Sequence, residues 1–119
     1  INFVQLISPT TPKDRMKKII KSSHDMVYYI SMLSTTGGRL KVSPKKILQN
    51  YNKIKRINSK KNIVIGFGIT NKTIASLKKA DGLVVGSQLC KTITNSLKRR
   101  LNTAKVLNKM VYKLKKKII

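Results

Sequence analysis

Short runs of β-branched and aromatic residues alternate along this chain with stretches in which apolar residues recur at helical spacing. The first run, residues 2–8, carries Phe3, Val4, Leu6 and Ile7 and ends at Pro9. A helix is then predicted, with Thr11 as N-cap, Pro12 at the first helical position and Asp14 three residues after the cap. Met16, Ile19 and Ile20 form its apolar face, and it stops near Ser22-Ser23-His24. Run two, residues 26–31, leads through Met32-Leu33-Ser34 into Thr35-Thr36-Gly37-Gly38. A second helix follows Ser43-Pro44, burying Ile47, Leu48, Tyr51 and Ile54. Run three, residues 62–65, enters Gly66-Phe67-Gly68-Ile69, after which Thr70 caps a helix that buries Ile74 and Leu77. Run four, residues 82–85, enters Gly86-Ser87. A short helix is expected there, then a long one with Leu97, Leu101, Ala104, Val111 and Leu114 on its buried stripe. Residues 113–117 read as a frayed, solvated tail.

Strand and helix in alternation argue for parallel strands covered by outer helices. Four such βα units make an α/β domain, residues 1–119, that is single but partial. A TIM (β/α)8 barrel takes eight units and about 250 residues, so four are half of one. The half-barrel reading predicts that the first and fourth strands are open edges. Apolar side chains that belong in a barrel interior would then face solvent.

Charge is the loudest bulk property: 27 Lys+Arg against three acids, Asp14, Asp25 and Asp81, for a formal net charge of +24. Such a balance suggests nucleic acid or an anionic surface. Three details argue against that role. Lysine far outnumbers arginine, the residue suited to bidentate recognition; the lysines spread over every polar helix face; and the few aromatics are not interleaved with the charges as a base-stacking platform requires. Lys, Asn and Ile are enriched together and share A/T-rich codons, which points to genomic base composition. The chain opens on Ile1 with strand-like residues, no leader is expected, and no apolar stretch approaches the roughly 20 residues that span a bilayer. The single cysteine, Cys90, fits a reducing cytoplasm and reads as an inert helical thiol.

The chemistry lies in the glycine turns. Glycine allows close approach of backbone to a ligand, and several such turns on one rim of a parallel sheet cradle a phosphate. In βα-barrels the phosphate commonly sits on the loops after the last two strands, beside a short extra helix. Gly66-Phe67-Gly68 and Gly86-Ser87 stand in that relation to the last two runs, although each glycine can also serve a tight turn. Phe67 and Tyr28 can shield an aromatic ligand or simply pack. Thr36 can donate to a ligand or to a catalytic acid. His24, Asp25 and Asp81 fall on the opposite rim, Asp81 as a turn residue, and Asp14 reads as a helix cap. The chain contains no glutamate, so the ligand side lacks a general acid–base pair. It also has no CxxC, HxxxH or carboxylate cluster, and no metal is expected.

Taken in order, these residues resemble the second half of the tryptophan synthase alpha chain. Ile7-Ser8-Pro9-Thr10-Thr11-Pro12 with Arg15 resembles the family's fifth strand and the helix start after it. Tyr28-Tyr29-Ile30-Ser31 through Thr36-Gly37 resembles the sixth strand and the mobile active-site loop. Gly66-Phe67-Gly68-Ile69 resembles the seventh loop, and Ala80-Asp81-Gly82-Leu83-Val84-Val85-Gly86-Ser87 the eighth strand and phosphate loop. The resemblance implies retro-aldol cleavage of indole-3-glycerol phosphate to indole and glyceraldehyde 3-phosphate. It implies an αββα complex with a beta chain, to which the pyridoxal phosphate belongs, so this chain needs no cofactor of its own. Carried over by position, Gly37, Gly68, Gly86 and Ser87 hold the phosphate. Leu6, Tyr28, Phe67 and Val84 border the indole-glycerol pocket, and Thr36 closes the loop and steadies a catalytic aspartate.

The departures set the expectation about activity. The family's catalytic glutamate and aspartate belong to its second strand and the loop after it, neither of which matches here, so this span holds no catalytic residue and is expected to be a lyase only when joined to a first half. The sixth loop reads Met32-Leu33-Ser34-Thr35-Thr36-Gly37, where the family often has glycine and valine before Thr-Gly. A truncated chain or incomplete gene product is the simplest account. The alternatives are another phosphate-binding barrel of amino-acid or cofactor biosynthesis and a basic nucleic-acid-binding module.

Overall fold

In the computed structural model, residues 1–31, 34–35, 38–39 and 42–119 are described. The elements run β1 (Gln5–Ile7), α1 (Lys13–Ser22), β2 (Met26–Ile30), β3 (Ser34–Thr35), β4 (Gly38–Arg39), α2 (Pro44–Lys55), β5 (Asn62–Gly66), a single 3-10 turn (Ile74–Leu77), β6 (Gly82–Val84), α3 (Ser87–Lys98) and α4 (Thr103–Lys116). Strands β1-β2-β5-β6 lie side by side in that order, every pair parallel. The expected four-unit parallel sheet is therefore present, with β1 and β6 as its outer strands. A separate antiparallel pair joins β3 to β4.

Alternation along the strands shows which face is covered. On β2 the pattern buries Val27 and Tyr29, and on β5 it buries Ile63 and Ile65. With Ile7 these pack against Ile20 of α1, Ile47, Tyr51 and Ile54 of α2, Ile74 and Leu77 of the 3-10 turn, and Leu114 of α4. The opposite face carries Leu6 and Val84, which are 56% and 40% exposed. Parallel sheets ordinarily bury both faces, so this one-sided cover is what a partial barrel requires.

Local signals explain the element boundaries. Ser43 caps α2 by accepting from the Lys46 amide, with proline behind it as expected. Thr11 does not cap α1: its hydroxyl accepts from the Ser8 amide at 2.9 Å, tying the β1–α1 turn, and the helix begins one residue later behind Pro12. The segment after Thr70 forms only one 3-10 turn, because Thr70 and Thr73 bind the amides and carbonyls of their own loop.

The C-terminal helices differ more from expectation. Helix α3 is not short, since it runs 12 residues. It ends as Arg100 takes a left-handed φ of 53°, and Asn102 then caps α4 by accepting from Lys105. Leu97, Leu101 and Val111 are exposed, so of the expected stripe Leu114 is the fully packed member. The basic tail is helical through Lys116, and Lys117 donates to the Asn71 carbonyl.

Candidate functional site

A cleft of about 160 Å³ opens at the C-terminal ends of β2, β5 and β6. Tyr28 comes from β2, Phe67, Gly68, Ile69 and Thr70 from the loop after β5, and Val84, Gly86, Ser87, Gln88 and Lys91 from the end of β6 and the start of α3. Parallel strands bring their C-terminal loops to one rim, so residues far apart in sequence share this wall. Six of the residues expected to touch a ligand are thus together: Tyr28, Phe67, Gly68, Val84, Gly86 and Ser87. Leu6 lies apart, in a depression at the end of β1 with Ser8, Thr11 and Arg15. Thr36 and Gly37 lie outside the described residues.

The loop after β5 is held in an uncommon shape. Phe67 and Gly68 both have positive φ, 75° and 73°. For a bulky residue such as Phe67 this conformation costs about 1 kcal/mol or more and persists only where neighbours enforce it. The enforcing group is Ser31, fully buried at the end of β2. Its amide donates to the Gly66 carbonyl at 3.1 Å, and its hydroxyl lies 2.9 Å from that oxygen and 2.7 Å from the Phe67 carbonyl. Thr73 takes the Gly68 carbonyl from the other side. Both contacts tie the loop through its carbonyl oxygens.

The cleft glycines differ in why they are glycine. A methyl group at Gly66 would sit 1.7 Å from the Tyr28 hydroxyl, so the Tyr28 ring occupies that space. Gly86 is the reverse case. An added methyl would meet no protein atom within 4 Å, and its φ of −108° is not left-handed. No neighbouring atom around Gly86 demands glycine, and Gly86 lines the cleft. It also stands as N-cap of α3, whose first amides in the helical ladder are Leu89 and Cys90, both donating to the Gly86 carbonyl. The Ser87 and Gln88 amides precede that ladder, where a helix carries its positive dipole end.

The opposite rim is closed by its own side chains. The Asp81 carboxylate accepts from Lys55 Nζ and from the Ile63 amide, each at 2.8 Å. Burial pushes this carboxyl up, but Lys55, the Ile63 amide and the Tyr51 hydroxyl outweigh it and hold it below its ordinary value. Burial, reinforced by the Asp81 charge, pushes Tyr51 up in turn. Asp81 is therefore more than the expected turn residue, since it fastens β6 to β5 and α2. Lys61 Nζ donates to the carbonyls of Ser23 and His24. His24 and Asp25 pair at 2.9 Å in an exposed position on this rim, away from the cleft. Cys90 is exposed on α3. No cluster of metal-binding side chains exists among the described residues, and none of their helices is long and apolar enough to cross a membrane.

The model of the family described as tryptophan synthase alpha chain matches residues 1–119. The chain belongs to that family. Its relative from Pelagibacter ubique is 72% identical over 118 residues, covering 99% of this chain and 44% of the relative. One from Prochlorococcus marinus is 40% identical over 101 residues. Both are tryptophan synthase alpha chains. Among solved structures, the alpha subunit from Legionella pneumophila superposes with a TM-score of 0.81 at 23% identity, over 99% of this chain and 42% of that one. A tryptophan synthase complex from Pyrococcus furiosus gives 0.70 at 30% identity. The chain spans less than half the length of these relatives, and its sheet is part of the alpha-chain barrel.

Sequence reading gave no site role to five contributors to the alpha-chain rim: Ser31, Ile69, Thr70, Gln88 and Lys91. Ser31 ends the Tyr28-Tyr29-Ile30 run, and a small polar residue closing an apolar strand was the available signal. Gln88 and Lys91 enter because α3 runs on past the cleft. The four-residue spacing from Ser87 to Lys91 was the sign that they share a face.

Proposed function

We propose that this chain is the phosphate-binding part of a tryptophan synthase alpha subunit, which cleaves indole-3-glycerol phosphate to indole and glyceraldehyde 3-phosphate in tryptophan biosynthesis. The observation that carries the reading is Gly86: a glycine with no protein atom within 4 Å of its missing side chain, at the N-terminus of a helix, on the wall of a cleft lined from three strands and their loops. A phosphate there meets the unladdered Ser87 and Gln88 amides, the Ser87 hydroxyl and the Gly68 backbone. Anions are favoured at such a helix start by donor geometry and dipole together. Gly37 adds a further backbone contact in this reading. Tyr28, Phe67 and Val84 supply apolar walls for the indole end, with Leu6 at its far border, and Thr36 acts on loop closure.

Retro-aldol cleavage breaks the bond between the indole ring and the glycerol carbon. A proton must reach the ring carbon, and another must leave the neighbouring hydroxyl. No acidic residue lines the cleft, and Asp25 and Asp81 stand on the far rim. This span therefore binds and orients, and the proton-transfer groups come from the rest of the family fold. The subunit works in the cytoplasm with a beta chain, in an αββα assembly. Pyridoxal phosphate is held by that partner, and this chain takes no cofactor.

The test is indole release from indole-3-glycerol phosphate, measured with the chain alone and with the amino-terminal half of an alpha chain added. Release is expected only in the mixture. Turnover by the chain alone overturns the division of labour, and failure of the chain to bind phosphate overturns the whole reading.

A further inference from the structure

We infer that Lys91 is a phosphate-binding and specificity residue: its ammonium supplies the full positive charge that selects a doubly charged phosphate monoester. This rests on the phosphate reading above and names a side chain within the same site. The need for such a group follows from charge. A phosphate monoester carries close to two negative charges near neutral pH. The helix start offers roughly half an elementary charge, and the backbone amides around it are neutral dipoles. Amides alone leave most of the dianion uncompensated in a partly enclosed cleft.

Lys91 is placed to make up the difference. Of the residues lining the cleft it is the one with a permanent charge, and Tyr28 is the other titratable group. It lies four residues after Ser87 on α3, hence on the same helix face. Side chains on a helix lean toward its N-terminus, which carries the Lys91 stem back toward Ser87 and Gly86. Its four-carbon stem gives the ammonium reach without demanding one fixed geometry. Among the described residues the ion pairs are His24–Asp25 and Lys55–Asp81, and Lys91 is in neither. Most of the chain's many other cations stand away from the cleft. Lys98, seven residues on at the end of the same helix, is the natural comparison.

The test is titration of the full 119-residue chain with glycerol 3-phosphate and with inorganic phosphate, by calorimetry at several salt concentrations. The variants are Lys91→Met, Lys91→Arg and Lys98→Met, each checked for an unchanged melting temperature, and Gly86→Ala, checked for a melting temperature no lower than that of the wild type. Loss of a charged hydrogen bond predicts about tenfold weaker binding in Lys91→Met, with a flatter salt dependence. Lys91→Arg should restore binding to within about threefold, since the charge is kept, and Lys98→Met should leave it unchanged. If the wild type binds and Lys91→Met binds equally well, the Lys91 assignment is overturned and the phosphate reading stands. Equal weakening by Lys91→Met and Lys98→Met also overturns it, because bulk charge is then sufficient. If the wild type binds neither compound, both readings fall, and a Gly86→Ala variant indistinguishable from wild type confirms that failure.

Discussion

The two rims of the sheet use polar groups in opposite ways. At the amino-terminal rim, Asp81 is spent on Lys55 and the Ile63 amide, and Lys61 on two carbonyls of the α1–β2 turn. The charges there are taken up by partners within the chain. At the carboxyl-terminal rim the internal bonds take up carbonyl oxygens, through Ser31 and Thr73, while the first amides of α3 stay outside the ladder. One rim is a fastening, and the other is the proposed receptacle. The difference teaches that a few acids can fold a very basic chain if they sit where elements meet, while no acid lines the cleft on the other rim.

The comparison is sharpened most by substitutions at the strand ends. Gly66→Ala forces a methyl group into the Tyr28 ring and should destabilise by about 3 kcal/mol, at the upper end of overpacking costs, measured by urea denaturation. Asp81→Ala should cost about 2 kcal/mol at neutral pH, the usual worth of hydrogen bonds to a charged group. Asp81 is held below its ordinary value, so its contribution is present above about pH 4. That contribution disappears as pH falls through the depressed value, and the wild-type and variant stability curves should converge there. Convergence instead on the alkaline side would refute the fastening role. Phe67→Gly should raise stability by about 1 kcal/mol through release of the left-handed strain, while weakening binding of an indole-bearing ligand. His24→Ala should change neither stability nor phosphate binding by more than about 0.5 kcal/mol, as usual for an exposed site. A loss of binding in that variant would erase the distinction between the rims.

Much of this arrangement was legible because its signals are local. The Ser43-Pro44 start of α2 needs only neighbouring residues, and the order of four β-rich runs with intervening helices fixes a parallel sheet through connection length. Gly68, Gly86 and Ser87 could be assigned to one rim because each follows a strand. What escaped depends on contacts between distant residues or on competition among equals. Thr11 was available both to the helix and to the Ser8 amide, and the turn won. Leu97 and Leu101 have the period of a buried stripe, yet the left-handed Arg100 and the Asn102 cap break the helix between them and α4. Lys91 was one cation in a chain full of them, and only the course of α3 past the cleft sets it apart.

The open side of Gly86 carries a warning for anyone hardening this protein against heat. Replacing a glycine of unstrained conformation by alanine is a standard way to trim the freedom of the unfolded chain, at a gain of about 0.4–1 kcal/mol. Gly86 is an attractive choice, with room for the methyl and no left-handed φ. The thermostable product would be a polypeptide with its doorway bricked up.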